Sequence, residues 1–322
     1  MGRTAGNGGF IVAAHAHRQN RQAVSGGYFR QKFEMRFRRF VRRRDAHQAL
    51  DGQTVAVAGA SVASKPPLPP MRRRTLVGAF LLDILIAVVI MVAAVVMASV
   101  GWGVWRGIDL ARGGADSATI SAALGAPGAL AQIVMTLMGM SAVAVSLYFL
   151  RHPASEGERR ESALRIRQPA TWVWSAAVGV AVFLGSSLLG WLASQAGIDP
   201  EPTNLAMIDE AFRQWPLFLV LFAVVLAPAY EELLFRRVLF GRFLAGGRPW
   251  LGMLLSSLAF AFIHELPGAS ANAPLAVLQL WLVYGGMGAA FAWLYWRTGT
   301  LWAPILAHAL NNAIALGFHT LA

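Results

Sequence analysis

Cysteine is absent from this chain of 322 residues, and charged side chains are scarce. Without cysteine the protein cannot build a disulfide framework, a thiolate nucleophile or a zinc site with Cys ligands. Asp, Glu, Lys and Arg make up 14% of the residues, whereas an ordinary soluble domain carries about a quarter. The low charge content therefore argues against a soluble globular protein.

Apolar side chains are abundant instead. They make up 56% of the chain, and the mean hydropathy is +0.51. Because a spanning helix needs about 20 mainly apolar residues, the sequence predicts an all-α, polytopic transmembrane helix bundle with about seven spans. The predicted spans are Leu76–Val100, Ala129–Leu150, Trp172–Ala196, Trp215–Leu244, Trp250–Leu266, Pro274–Trp296 and Leu301–Leu321.

The loops between these spans differ in charge and indicate an orientation. Arginines flank the first span (72–74) and follow the second (151–167), whereas the loop after the third span is mainly acidic. Short cytoplasmic loops are enriched in Lys and Arg. The pattern predicts an integral membrane protein with a cytoplasmic N-terminus. Its 26 Arg beside 2 Lys, with much alanine, are typical of GC-rich coding and point to a bacterial inner membrane.

Residues 1–70 form a basic extension, with 12 Lys and Arg against 3 Asp and Glu. One interpretation is an arm attracted to anionic lipid or nucleic acid. The favoured one is a disordered tail in front of a transmembrane domain at 71–322, or a start assigned too far upstream. No binding to nucleic acid is expected.

Ionisable residues inside predicted spans form the first sign of a functional site, because each costs at least about 2.5 kcal/mol on insertion. In the fourth span, Glu232 and Arg236 are one helical turn apart and can pair. Glu231 lies on another face and has Phe235 at the corresponding position, so its carboxylate stays available for proton transfer. An exposed ion pair or helix cap at the lipid boundary is an equally plain interpretation of this motif alone.

His264 ends the fifth span, after Phe260. A lone histidine on an apolar helix is more often a core residue than a catalyst. However, Glu231 lies 16 residues before Gly247 and His264 lies 17 after it. In an antiparallel hairpin that turns near Gly247, the two side chains come level, and they can face each other across a cavity.

The last span carries His308 and Asn312, four residues apart and therefore on one helix face. Such residues can simply join membrane helices by hydrogen bonds. Three polar clusters on neighbouring helices, however, favour a shared site. Peptide hydrolysis would use them well: Glu231 can accept a proton from water, His264 can orient that water or relay its proton, and His308 with Asn312 can donate to the oxyanion.

Zinc is the alternative to this metal-free chemistry. The segment that begins at His264 starts like the zincin motif His-Glu-x-x-His, but Gly268 replaces the second histidine. Glu231, His264 and His308 could still form a site of two histidines and one carboxylate. No cofactor is favoured, and zinc is left open.

The three motifs in this order resemble those of the CPBP family of intramembrane proteases. These motifs are Glu231-Glu232-x-x-x-Arg236, Phe260-x-x-x-His264 and His308-x-x-x-Asn312. The family includes the type II CAAX prenyl endopeptidases and bacterial lysostaphin-resistance and bacteriocin-immunity proteins. One departure is Arg237, since the residue after the motif arginine is commonly Gly in this family.

The resemblance implies a protease core at about 215–312, in which Glu231 and His264 activate water and His308 and Asn312 bind the oxyanion. It implies an intramembrane endopeptidase that acts on membrane-associated proteins or peptides, with the lipid bilayer as its surroundings. Members have often been labelled metalloproteases. The competing hypothesis is a non-proteolytic immunity or scaffold protein that keeps the polar cavity for binding. A transporter core fits less well, because no inverted repeat accompanies the clusters.

Overall fold

The structure is a computed structural model that describes residues 73–125, 127–266, 268 and 270–321. The chain divides into two units, Met1–Leu68 and Pro69–Ala322. The predicted disordered extension at 1–70 lies outside the described residues, so that hypothesis stays a prediction. Everything below concerns the second unit.

The described residues form helices joined by short connections, with no strand among them. The ten helices in chain order are α1 (Arg73–Arg112), α2 (Ser117–Ala123), α3 (Ala129–Arg151), α4 (Glu156–Ile166), α5 (Pro169–Gln195), α6 (Leu205–Gln214), α7 (Pro216–Ala245), α8 (Pro249–His264), α9 (Pro274–Thr298) and α10 (Trp302–Leu321).

A helix lies at each of the seven predicted spans, which confirms the all-α membrane bundle. Five of these helices, α1, α3, α5, α7 and α9, are long and apolar enough to cross a membrane. Helix α8 has 16 residues and is a shorter apolar helix. The spanning of α8 and α10, and thus the count of seven, stays a prediction, as does the orientation.

Helix α7 departs from a regular α-helix on both sides of the two glutamates. Its Ala227–Glu232 turn is α-helical, but Leu221–Leu226 and Leu233–Phe240 are π-helical. Pro228 stands at the start of the α-helical turn, where its ring and missing N–H interrupt the hydrogen-bond ladder of the preceding turn. Such wide turns are frequent at functional sites, and here they frame Glu231 and Glu232.

The short polar helix α4 is attached to α7 by hydrogen bonds at its beginning. It begins with a capping box, in which Ser155 Oγ accepts from the Glu158 N–H and the Glu158 carboxylate accepts from the Ser155 N–H. Glu158 also accepts two hydrogen bonds from Arg237 of α7, at 2.9 and 3.0 Å. These bonds hold the pKa of Glu158 at about 2. The Glu158 carboxylate therefore stays ionised at neutral pH and keeps α4 docked.

A buried carboxylate joins α1 to the rest of the bundle. Asp83 is fully buried, and its Oδ1 accepts from Arg151 Nε at 2.7 Å. Its Oδ2 contacts Arg242 of α7 and lies 3.2 Å from His152 Nε2. Much of α1 lies on the outside of the bundle, since 11% of its most apolar window is buried. The Asp83 cluster therefore adds charged contacts to the apolar packing of Leu76 and Phe80, which are also buried.

Helices α8 and α9 approach each other closely at Gly288. A Cβ atom at this position would come 2.9 Å from Ser257 Cα and 3.0 Å from Ser257 Cβ. Small residues permit this kind of backbone approach between membrane helices. The position of α8, and with it of His264, therefore depends on glycine at 288.

We expect Gly288→Ala to lower the free energy of unfolding by about 1 to 3 kcal/mol, because overpacking a tight contact forces a shift of backbone. Gly285→Ala on the same helix is the matched control, since a Cβ there meets nothing within 4 Å. Thermal unfolding of both variants in detergent measures the difference. Equal unfolding temperatures for the two would contradict this account of the contact.

Candidate active site

Three side chains from three helices converge on one point. Glu231 of α7 places its Oε2 3.8 Å from His264 Nε2 of α8 and 3.8 Å from His308 Nε2 of α10. The hairpin prediction that Glu231 and His264 come level is thereby confirmed. Separations of 3.8 Å are too long for direct hydrogen bonds. Glu231 Oε2 is buried without a hydrogen-bond partner among the described residues, so a water that entered beside it could bridge it to either histidine.

Both histidines are held through their other ring nitrogen. His264 Nδ1 lies 2.8 Å from the carbonyl oxygen of Phe260, one turn back on α8. His308 Nδ1 lies 3.0 Å from Glu232 Oε1. Because a carbonyl and a carboxylate oxygen accept hydrogen bonds, each Nδ1 is the donor. In the neutral imidazole, each Nε2 is then an acceptor directed at the point beside Glu231.

The predicted pair of Glu232 and Arg236 is present and fully buried. Arg236 Nε lies 2.8 Å from Glu232 Oε2, and neither side chain is exposed. The guanidinium carbon lies 4.8 Å from the Phe260 ring centroid and 5.7 Å from that of Phe291. Arg236 Nη1 and Nη2 have no hydrogen-bond partner among the described residues. Aromatic rings therefore pack against the part of the guanidinium that Glu232 does not contact.

Glu232 connects this pair to the point of convergence. One oxygen contacts Arg236 and the other accepts from His308, so the two charges and the imidazole form one chain. His308 also stacks on Phe291, with ring centroids 4.9 Å apart. The arrangement fixes the His308 ring from the edge and from the face.

Asn312 lies near this cluster but is already bonded. Its Nδ2 donates to the carbonyl oxygen of Ala223 at 2.9 Å, and its Oδ1 accepts from Asn311 at 3.0 Å. Ala223 belongs to the first π-helical segment of α7. Since an amide nitrogen carries two hydrogens, one donor of Asn312 remains for an oxyanion, and the role assigned to it stays a prediction.

The serines of α8 take no part in the cluster, as expected. Ser256 Oγ donates to the Met253 carbonyl at 3.4 Å, and Ser257 Oγ has no partner among the described residues. Neither bonds His264 in the part of the chain that the structure describes. A serine nucleophile activated by His264 therefore finds no support.

Several residues of the site were not found from the sequence. Tyr284 of α9 packs its ring 4.6 Å from that of His264, and Phe291 stacks on His308. These aromatic residues lie in a continuous apolar run of α9, where nothing distinguishes them from lipid-facing residues. Glu265 carried no signal in the sequence beyond its place in an incomplete zinc motif, yet its side chain is fully buried.

Arg237 stands where glycine is common in the resembled family, and its side chain points away from the site. It points to Glu158 and to the Pro153 carbonyl oxygen, at 2.9 and 3.2 Å. The departure from the family pattern therefore serves the attachment of α4.

Metal binding was tested on the same geometry. Among the residues that the structure describes, no group of three or more His, Asp or Glu side chains is arranged to hold a metal ion. Ligands of a tetrahedral zinc at about 2.1 Å lie about 3.4 Å apart, and both separations from Glu231 are 3.8 Å. The chemical types of Glu231, His264 and His308 do suit zinc, so its absence stays a prediction.

Comparison with known proteins gives a match over the same segment. Residues 213–314 match the family described as type II CAAX prenyl endopeptidase Rce1-like. No solved structure matches the chain significantly.

Two bacterial proteins are similar to parts of the chain. YdiL of Bacillus subtilis (strain 168), provisionally named a membrane peptidase, is 32% identical over 120 residues, which cover 37% of this chain and 44% of YdiL. The chain thus spans under half the length of that relative. The membrane-embedded CAAX protease MroQ of Staphylococcus aureus (strain USA300) is 25% identical over 202 residues, 59% of this chain and 73% of MroQ. The resemblance seen in the motifs is confirmed, since residues 213–314, which carry all three motifs, are similar to an Rce1-like type II CAAX prenyl endopeptidase.

Proposed function

We propose that this protein is an intramembrane endopeptidase of the CAAX-protease type, which hydrolyses peptide bonds in membrane-associated proteins or peptides. The observation that carries the proposal is the position of Glu231 Oε2 at 3.8 Å from the Nε2 atoms of both His264 and His308. The Rce1-like match over residues 213–314 and the names of both relatives support the same activity.

In the proposed mechanism a water molecule binds beside Glu231. Glu231 takes one proton from it while His264 Nε2 accepts the other in a hydrogen bond, which directs the oxygen lone pair at the scissile carbonyl. The new C–O bond gives a tetrahedral oxyanion. Glu231 then returns its proton to the leaving nitrogen as the C–N bond breaks, so the products are an amine and a carboxylic acid, which loses its proton to water at neutral pH.

The oxyanion needs hydrogen-bond donors at the position where the charge develops. Asn312 offers its second N–H, and His308 offers Nε2 when both ring nitrogens carry protons. His308 Nδ1 is already bonded to Glu232, so the buried pair of Glu232 and Arg236 acts on the oxyanion through His308. Arg236 and Glu232 are positioning residues in this scheme.

A reconstituted proteolysis assay tests the proposal. The purified protein is placed in lipid vesicles with membrane-anchored peptides, with and without a C-terminal prenyl group, and cleavage products are identified by mass spectrometry. Cleavage by the wild-type protein and none by Glu231→Gln is the expected result. A folded protein that binds such peptides without ever cleaving them would instead favour the immunity or scaffold function.

We propose further that the site works without metal in the inner membrane of a bacterium, with the N-terminus in the cytoplasm. Purified protein is expected to contain no stoichiometric zinc by elemental analysis and to keep its activity in chelators. Glu231 and a histidine can activate water by general base catalysis alone. One zinc per chain, lost together with activity and lost again in His264→Ala, would reverse this prediction.

A further inference from the structure

Glu265, the residue after His264, has a buried carboxylate that takes no part in the proposed chemistry. Helix α8 ends at His264, and Glu265 turns into an extended conformation with φ −136° and ψ 91°. Its side chain is fully buried, although it follows the last helical residue and belongs to a connecting loop. A buried carboxylate in a loop requires hydrogen-bond partners.

Those partners come from two different loops. Glu265 Oε2 accepts from Thr203 Oγ1 at 3.0 Å, in the loop between α5 and α6. Glu265 Oε1 accepts from Asn272 Nδ2 at 3.3 Å, just before α9. Asn272 also holds both backbone groups of Glu201, accepting from its N–H at 2.9 Å and donating to its carbonyl at 2.6 Å. We call Glu265, Thr203 and Asn272 the latch.

The latch borders the site directly. Thr203 Oγ1 lies 3.4 Å from the carbonyl oxygen of His264, and the Glu265 carbonyl accepts from Trp281 Nε1 of α9 at 2.8 Å. Trp281 lies on the same helix as Tyr284, whose ring packs against His264. The end of α8 is thus fixed from two sides, one of them through the latch.

His264 needs such fixation because it is the terminal residue of its helix. Helix ends fray, since their last carbonyl groups lack partners within the helix. A shift of about 1 Å in a catalytic group can cost about 10²-fold in rate. From within α8, the imidazole is held by the bond from Nδ1 to the Phe260 carbonyl and by contact with the Phe260 ring, whose centroid lies 4.3 Å away, and both contacts come from the same turn.

We propose that Glu265 is a positioning residue that, through the latch, holds the end of α8 so that His264 stays aligned with Glu231. The inference rests on the proposed function for its kinetic consequence but not for its structural one. Loss of the latch should lower kcat while leaving KM nearly unchanged, because the latch bonds the end of α8 that carries His264.

The test uses the full-length protein with four variants. Glu265→Ala removes both acceptors, and Thr203→Val removes one donor, whereas Thr203→Ser keeps the hydroxyl. Glu201→Ala is the matched control, because it removes an exposed carboxylate from the same loop while the Glu201 backbone bonds to Asn272 remain. We expect kcat per folded molecule to fall about 10- to 100-fold in Glu265→Ala, to fall less in Thr203→Val and to stay near wild type in Thr203→Ser and Glu201→Ala.

A second measurement does not depend on activity. Diethyl pyrocarbonate modifies accessible imidazoles, and His264 is 19% exposed while His319 of α10 is 43% exposed. Mass spectrometry should show His264 modified several-fold faster in Glu265→Ala, with His319 unchanged as the internal standard. If the wild type cleaves nothing but His264 shows this change, the positioning role stands and the peptidase proposal falls.

The opposite outcomes are equally informative. If the wild type cleaves and Glu265→Ala keeps both its kcat and its His264 modification rate, Glu265 does not position His264. A change in KM alone would mean that the latch governs access of substrate, and a loss of activity matched by loss of folded protein would reduce it to a stabilising contact. Each of these three results overturns the proposal.

Discussion

Glu231→Gln is expected to lower the rate of peptide cleavage by about 10²- to 10⁴-fold, the usual contribution of a general base. Glutamine keeps the size of the side chain but cannot take a proton from water. His264→Ala should reduce the rate comparably, because the partner at 3.8 Å is lost. Cleavage per folded molecule is measured in lipid vesicles, with abundance determined by gel filtration in detergent.

The matched control for this prediction is Glu210→Gln, which removes a carboxylate from the surface helix α6. Among the described residues, Glu210 accepts a hydrogen bond only from Gln214, at 3.3 Å. The Glu210→Gln variant should therefore cleave at the wild-type rate. If Glu231→Gln or His264→Ala keeps most of the wild-type rate, the assignment of the catalytic residues is wrong.

Arg236→Ala should lower the free energy of unfolding by about 3 to 5 kcal/mol, because it leaves one partner of a buried ion pair uncompensated. Glu232 would remain fully buried with His308 as its hydrogen-bond partner. Activity should fall as well, because His308 is aligned by Glu232. Chemical or thermal unfolding in detergent and the cleavage rate per folded molecule measure the two effects.

The chain offers a matched control with the same spacing. Glu156 and Arg160 also form an i,i+4 pair, but their side chains are 70% and 78% exposed. Exposed pairs contribute little to stability, so Arg160→Ala should unfold at the wild-type temperature. Equal stability of Arg236→Ala and Arg160→Ala would show that the pair in α7 contributes no more than a surface contact.

The positions of the long helices follow from the sequence because lipid demands continuous apolar segments. The first span is longer than predicted: it was expected at Leu76–Val100, whereas α1 runs from Arg73 to Arg112. Counting apolar residues does not detect the part of a helix that continues into a polar region. Short helices such as α4 were missed for the same reason, since a polar segment carries no hydropathy signal.

Glu231 and His264 could be predicted to lie level, because each is about the same number of residues from the hairpin turn between α7 and α8. His308 could be added only because its motif lies on a neighbouring helix. The π-helical turns around Ala227–Glu232 could not be predicted, since their hydrogen-bond pattern depends on packing as well as on Pro228. The latch was also missed. Its members come from loops that are distant in sequence, and loop conformations set by side-chain hydrogen bonds have no periodicity to detect.

The polar content of α7 has a consequence for how the protein is made. This helix carries five ionisable Glu and Arg side chains between Pro216 and Ala245, and each costs about 2.5 to 3.5 kcal/mol on insertion near the bilayer centre. Their partners are spread over the chain: Asp83 on α1, Glu158 on α4 and His308 on α10. Because α10 follows α7 in the chain, α7 cannot complete its polar pairing with His308 until α8, α9 and α10 have been synthesised.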